Sequence, residues 1–169
     1  MTDRFTNGFL TGFLSAFVPF VFNFGSRALG FSTLVWSDFM GLFILGRRPE
    51  NTLELIYTIC LQFRFLSILG SLFPLILTLI SSKRYIFKGA LYGITIWFIL
   101  FSLPNLLQIS GLGRIPLKTA ISNFLGALLW GIALSFILKK IDRRDSLKIS
   151  LKPRFPFRPV SVIRRSMPC

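Results

Sequence analysis

Apolar and polar positions divide this chain into five apolar runs separated by short polar breaks, followed by a basic end. The clearest run is Ile86–Leu103, IFKGALYGITIWFILFSL, whose one charge, Lys88, lies within a turn of its start. As a helix it is ~27 Å long, close to the ~30 Å hydrocarbon thickness of a bilayer, and Pro104 stops it. The pattern predicts a transmembrane helix over about 86–104. Phe5–Phe24 predicts another over 5–24, with Gly8, Gly12, Ser15, Pro19 and Ser26 near one side of the helical wheel. Ser26-Arg27-Ala28 loosely fits a signal-peptide cleavage site, but one Arg beside Asp3 and a long, interrupted apolar stretch favour a retained span. Leu53–Ile80 is ~42 Å as a helix, so it must tilt, kink at Pro74 or project beyond the bilayer. Its span is expected at about 56–81. Thr119–Leu138 is the last, with Thr119, Ser122, Gly126 and Ala133 on one side.

The remaining run, residues 29–45, carries Asp38 at its middle, beside Ser37 and after Trp36. A charge at the centre of a span is costly and Trp favours the membrane interface, so this run predicts an interfacial or re-entrant helix. Basic residues agree. With four spans and the N-terminus inside, fourteen Lys/Arg face the cytoplasm: Arg4, Lys83, Arg84, Lys88 and ten in residues 139–169. Arg27, Arg47, Arg48, Arg114 and Lys118 lie outside, with Arg64 at or below that surface. A fifth span would place the ten-charge tail outside, against the positive-inside rule. The expected fold is all-α: a polytopic integral membrane protein, a four-transmembrane-helix bundle over residues 1–138 and a basic cytoplasmic tail over 139–169. Both termini are then cytoplasmic.

Composition supports the membrane assignment, since 53% of residues are hydrophobic and only 15% charged, against ~25% charged in soluble domains. Of the formal net charge of +14, residues 139–169 contribute +8. Lys139, Lys140, Arg143 and Arg144 follow the last span directly, where each basic residue gains ~1 kcal/mol beside anionic headgroups. Pro153, Pro156 and Pro159 bias the rest of the tail towards extended conformations. Anionic lipid is the expected partner. Nucleic acid is not expected, since basic charge alone is an unspecific footprint.

Little in the chain points to reaction chemistry. There is no histidine and no GxSxG, P-loop or HExxH pattern, which removes the usual hydrolase, nucleotide and zinc signatures. Cys60 lies in an apolar run and Cys169 is the last residue, so neither a disulfide framework nor a metal site follows. No cofactor, metal or enzymatic activity is expected. Intramembrane ionisable residues are the better candidates. Cys60, Arg64, Ser67, Ser71 and Thr78 fall within about 60° of one another on a helical wheel, and with Asp38 they form a candidate polar path. The competing reading has Arg64 snorkelling, or tied to Asp38 or Glu54 as a structural pair. Glu54, Thr58 and Gln62 make a second polar row. Gly8 and Gly12, Gly89 and Gly93, and Gly126 mark small-residue faces suited to close helix packing. The GxxxG pairs open spans one and three, the pattern a diverged duplication of two hairpins would leave.

DFMGLFILGRRPENTLE is followed by a long span, then KGALYGITIW with its G-x-x-x-G-x-x-x-W run (Gly89, Gly93 and Trp97), then a Pro-Asn loop and TAISNFLGALLWGIAL. Over residues 5–138 this pattern resembles the small four-span bacterial membrane proteins of the YqhR and YagU type. The resemblance implies a protein of the bacterial cytoplasmic membrane without an assigned reaction, and leaves the basic tail outside. The expected role is structural or accessory, through contact with lipid, a partner membrane protein or a second copy. The alternative is a small oligomeric transporter or channel whose polar path lines the second span.

Overall fold

The structure, a computed structural model, describes residues 4–79, 84–106 and 115–151. All its regular elements are helices: α1 (Arg4–Ser15), α2 (Phe17–Ala28), α3 (Trp36–Leu45), α4 (Thr52–Leu79), α5 (Tyr85–Leu106) and α6 (Leu117–Leu151). Helices α1 and α2 form one interrupted span. Pro19 has no N–H to offer the carbonyl of Ser15, so the ladder breaks near Ala16. Ala16 N–H still reaches the Gly12 carbonyl at 3.1 Å and Phe20 N–H the Ala16 carbonyl at 3.2 Å, keeping the chain on course. Four stretches are long and apolar enough to cross a membrane: Arg4–Ala28, Thr52–Thr78, Tyr85–Ser102 and Leu117–Arg143. Helix α3 has 10 residues, ~15 Å of rise, half of what a bilayer core needs.

Helix α6 does not stop at Leu138. It continues through the basic residues Lys139–Arg144 to Leu151, because the first proline beyond the span is Pro153 and nothing before it breaks a helix. The first part of the tail is therefore a helical extension of the last span. The side chain of Arg144 and residues 152–169, with Pro153, Pro156 and Pro159, lie outside the described residues, as do Lys83 and residues 107–114.

Packing is built from two antiparallel pairs, α1 with α4 and α5 with α6. In each, glycine lets backbone meet backbone. A Cβ on Gly12 would come within 2.6 Å of the Leu66 carbonyl, and one on Gly8 within 2.8 Å of the Gly70 carbonyl. The Gly70 carbonyl is the one that Pro74 leaves without an intrahelical donor, so a Cα–H of Gly8 faces an acceptor that needs one. In the second pair, Gly89 lies against the Gly131 carbonyl and Ser135, and Gly93 against the Ala127 carbonyl. Gly126 holds α6 close to α2, where a Cβ would stand 3.0 Å from Asn23 Oδ1.

Helix α6 joins the pairs by packing on α1 and α2 as well as α5. The core there consists of Ala16, Leu66, Phe73, Ala127, Trp130, Leu134 and Leu138. Tyr92 of α5 stacks near Phe73 (5.2 Å) and Trp130 (5.9 Å), and its hydroxyl donates to the Leu69 carbonyl at 2.7 Å. Phe63 of α4 meets Phe13, Phe17 and Phe20 at ring distances of 5.6, 4.8 and 5.7 Å.

Gly89→Leu should separate α5 from α6, since the added side chain meets backbone that has no flexible end to move. Overpacking of this kind costs roughly 1–3 kcal/mol, visible as a clear fall in the Tm of detergent-solubilised protein. Gly25→Ala is the matched control, because no atom lies within 4 Å of a Cβ at that position. It should leave Tm unchanged.

Candidate functional site

The region richest in buried polar groups lies where α2, the α2–α3 connector, α3 and the start of α6 meet. Helix α2 ends in a Schellman turn. Gly30, at φ +73°, gives its N–H to the Arg27 carbonyl, and Phe31 gives its own to the Ser26 carbonyl, both at 3.0 Å. The chain then runs back into the bundle, with Ser32, Leu34 and Val35 buried. Buried irregular backbone needs internal partners at membrane depth, and α6 supplies them. Thr33 N–H donates to Thr119 Oγ1 at 3.1 Å, the two threonine hydroxyls are 3.0 Å apart, and Asn123 Nδ2 donates to the Leu34 carbonyl at 2.9 Å. Ser26 and Ser122 hydroxyls meet at 2.6 Å.

Asp38 sits one turn further on. Its carboxylate accepts the Val35 N–H at 3.0 Å, capping α3 where Val35 offers no side-chain acceptor, and it faces Arg27 at 3.4 Å. Asp38 is almost fully buried while Arg27 is half exposed, so the pair reaches towards solvent from its arginine end. Neither of the structural ties weighed for Arg64 forms. Asp38 pairs with Arg27 rather than Arg64, and Glu54 forms a bidentate pair with Arg47 at 2.6 and 3.0 Å. That exposed fork, with Glu50 N–H donating to Glu54 Oε2 at 2.9 Å, raises the Arg47 pKa, chiefly through the hydrogen bond to Glu54.

The row Cys60, Arg64, Ser67, Ser71 and Thr78 is divided by the fold. Ser67 and Ser71 are buried at the level where Gly8 and Gly12 bring α1 against α4, whereas Cys60, Arg64 and Thr78 face outwards. Hydroxyls of Ser67, Ser71 and Thr78 donate to carbonyls of their own helix, those of Phe63, Ile68 and Leu75, at 2.6–2.7 Å. Within one protomer the row and Asp38 do not enclose a common path. Arg64 is exposed and makes no hydrogen bond or ion pair among the described residues. Its neighbour Phe63 touches Phe13, Phe17 and Phe20, which sets Arg64 level with the middle of the first span. An arginine at that depth costs ~2.5–3.5 kcal/mol on insertion scales. Of the second polar row, Thr58 and Gln62 are enclosed, with Gln62 Oε1 unpaired, while Glu54 stays in the exposed fork with Arg47.

Two concave surfaces are lined by described residues. A lateral groove of about 560 Å³ runs between α2 and α6, lined by Val21, Phe22, Leu29, Phe31, Ile121 and Leu125, with Ser26, Ser122 and Lys118 adding polar atoms. A second cavity of about 490 Å³ lies between the start of α5 and α6, lined by Arg84, Tyr85, Ile86, Phe87 and Lys139. In the first turn of α5 the Lys88 ammonium is buried without a hydrogen-bond partner. Lys139, Lys140 and Arg143 are exposed along the α6 extension. The described residues hold no group of three or more His, Cys, Asp or Glu suited to a metal ion. Apolar spacing gave no signal for the groove, for the Arg27–Asp38 pair or for the threonine and asparagine stitches, because each joins residues far apart in the chain.

No family model, curated protein or solved structure matches the chain.

Asp38→Ala removes both the cap of α3 and the partner of Arg27, and should lower stability by more than the ~1 kcal/mol of an ordinary cap. Arg27→Gln should cost less, since it keeps the Asp38–Val35 bond. Chemical denaturation of the two single variants and the double variant in micelles checks this, with the expected result that the double variant costs little more than Asp38→Ala alone.

Proposed function

We propose that this chain is a multi-pass accessory protein of the bacterial cytoplasmic membrane, akin to the small YqhR- and YagU-type proteins, that works by holding anionic lipid and partner helices. Both termini face the cytoplasm, and α3 lies in the outer interface as a short re-entrant element. The observation that carries this reading is the α2–α6 groove. Its walls are apolar and open sideways, as an acyl chain requires, and Lys118 stands where a headgroup phosphate would meet a cation. On the opposite side, Arg84, Tyr85 and Lys139 surround a cavity suited to the phosphate of an inner-leaflet lipid, and Lys140 and Arg143 extend the same basic strip.

The alternative, a small transporter or channel, draws its support from Arg64, a mid-span cation. Because Arg64 and Thr78 face outwards while Ser67 and Ser71 are packed against α1, a path along this face has to be enclosed between copies of the chain.

Native mass spectrometry of protein extracted from a membrane of phosphatidylglycerol and phosphatidylethanolamine should show retained phosphatidylglycerol. Leu125→Trp, which fills the groove, and Lys118→Ala should each reduce retention several-fold without lowering Tm. Proteoliposomes should show no Arg64-dependent chloride or phosphate flux. Such flux, with unchanged lipid retention in both variants, would turn the assignment to transport. Orientation is read independently with Thr2→Cys and Lys148→Cys in a Cys60→Ser, Cys169→Ser background, where an impermeant thiol reagent should label only permeabilised cells.

A further inference from the structure

We infer that the outward face of α4 around Arg64 is the docking surface for a transmembrane helix of a different protein, one carrying a single carboxylate within its apolar stretch. The inference deepens the accessory reading by giving the chemistry of a partner, and rests on that reading only for the existence of one.

Three observations carry it. Arg64 is exposed at the middle of a span, level with the Phe13–Phe20 part of the first span, and has no hydrogen bond or ion pair among the described residues. Charges at that depth are found paired or in water. The surroundings are largely apolar: Tyr57 and Ile68, within about 40° of Arg64 on the helical wheel, are exposed, and Cys60 is the small residue one turn before Arg64. This is a surface for a packed helix, apolar around one cation.

The charge inventory then chooses between a second copy and a different chain. Six acids occur in the sequence. Asp38 caps α3 and faces Arg27, while Glu50 and Glu54 engage Arg47 outside the core of the span. Asp142 lies beyond Leu138 on the α6 extension, and Asp3 and Asp145 lie beyond the ends of the spans. A second copy therefore brings no carboxylate to mid-span, and a symmetric α4–α4 contact would set two arginines against each other. The carboxylate has to come from another protein. Arginine favours it with a bidentate geometry that strengthens where water is scarce.

The test uses the full-length protein in nanodiscs of neutral phosphatidylcholine, where anionic-lipid binding does not enter. A donor fluorophore sits on Cys169 in a Cys60→Ser background, and the acceptor sits on a synthetic transmembrane peptide of leucines with Glu, Gln or Leu at its centre. Energy transfer should be strong with the Glu peptide, at least several-fold weaker with the Gln and Leu peptides, and lost in Arg64→Leu. Arg64→Glu should recover it with a peptide carrying a central Arg. Arg64→Leu should fold normally, since the side chain packs on nothing inside the bundle, and circular dichroism and Tm check that. Equal transfer from all three peptides, or none from the Glu peptide, overturns the inference. So does Arg64-dependent Cys60–Cys60 oxidation between copies of the native protein. Loss of lipid retention with intact Glu-peptide binding would remove the lipid part of the proposed function and leave this surface standing. Arg64-dependent anion flux without peptide binding would remove both.

Discussion

Backbone contact between helices at glycine is the constraint on which the rest of this bundle depends. In lipid, apolar side chains gain little by leaving one hydrocarbon surface for another, so association rests on how closely helices approach. Gly8 and Gly12 on α1 meet Leu66–Pro74 on α4, and Gly89 and Gly93 on α5 meet Ala127–Ser135 on α6. Both pairs are antiparallel and both place a GxxxG helix against a partner face of small residues. In the first pair the proline has a second role. Pro74 frees the Gly70 carbonyl, and the absence of a side chain on Gly8 lets α1 lie directly over it. A kink residue and a packing residue on different helices thus answer each other.

Once those pairs form, α3 packs on α4, while α6 joins the two pairs by packing on α1 and α2. One face meets α5 through Ala127 and Gly131, and another meets α2 through Gly126 and Ser122. Its first turns tie down the α2–α3 connector through Thr119 and Asn123. That connector returns the chain into the bundle as buried non-helical backbone, whose hydrogen bonds are taken up by side chains of α6. Asp38 serves the same economy by capping α3 and neutralising Arg27. Thr33, Thr119, Asn123 and Asp38 hold the connector and the short helix in place, while the side chains of Asn23 and Ser37 beside them are buried without a hydrogen-bond partner among the described residues.

Much of the architecture was legible before any coordinates. Four spans follow from the length and hydropathy of the runs, and the demotion of residues 29–45 follows from the charge at their centre; the helix there has only ten residues. The glycines at 8, 12, 89, 93 and 126 were visible as spacing, although their partners Gly70, Ala127 and Gly131 were not singled out. The second-span row was legible as an angle on a wheel and misleading as a face. An angle does not say how far along the helix a neighbour extends, and α1 covers this side closely only around Ser67 and Ser71. Likewise, the tail charges were plain but their helical continuation to Leu151 was not marked by any apolar run.

By itself, the sequence determined the solvent and the elements: apolar length sets how many helices can cross, Pro19 sets where the first span is interrupted, and glycine spacing sets which faces allow close approach. These are local properties, carried within a few turns of chain. Pro104, read as a stop, is passed by α5, which runs to Leu106. Tertiary structure alone decided the pairings. Asp38 took Arg27 rather than Arg64 because the Schellman turn at Gly30 folds α3 back beside the end of α2, and Glu54 took Arg47 across the turn that begins at Gly46. With both nearby acids engaged, Arg64 was left facing outwards at mid-span. Which charge finds which depends on where the chain reverses, and a wheel drawn on one helix holds no information about that.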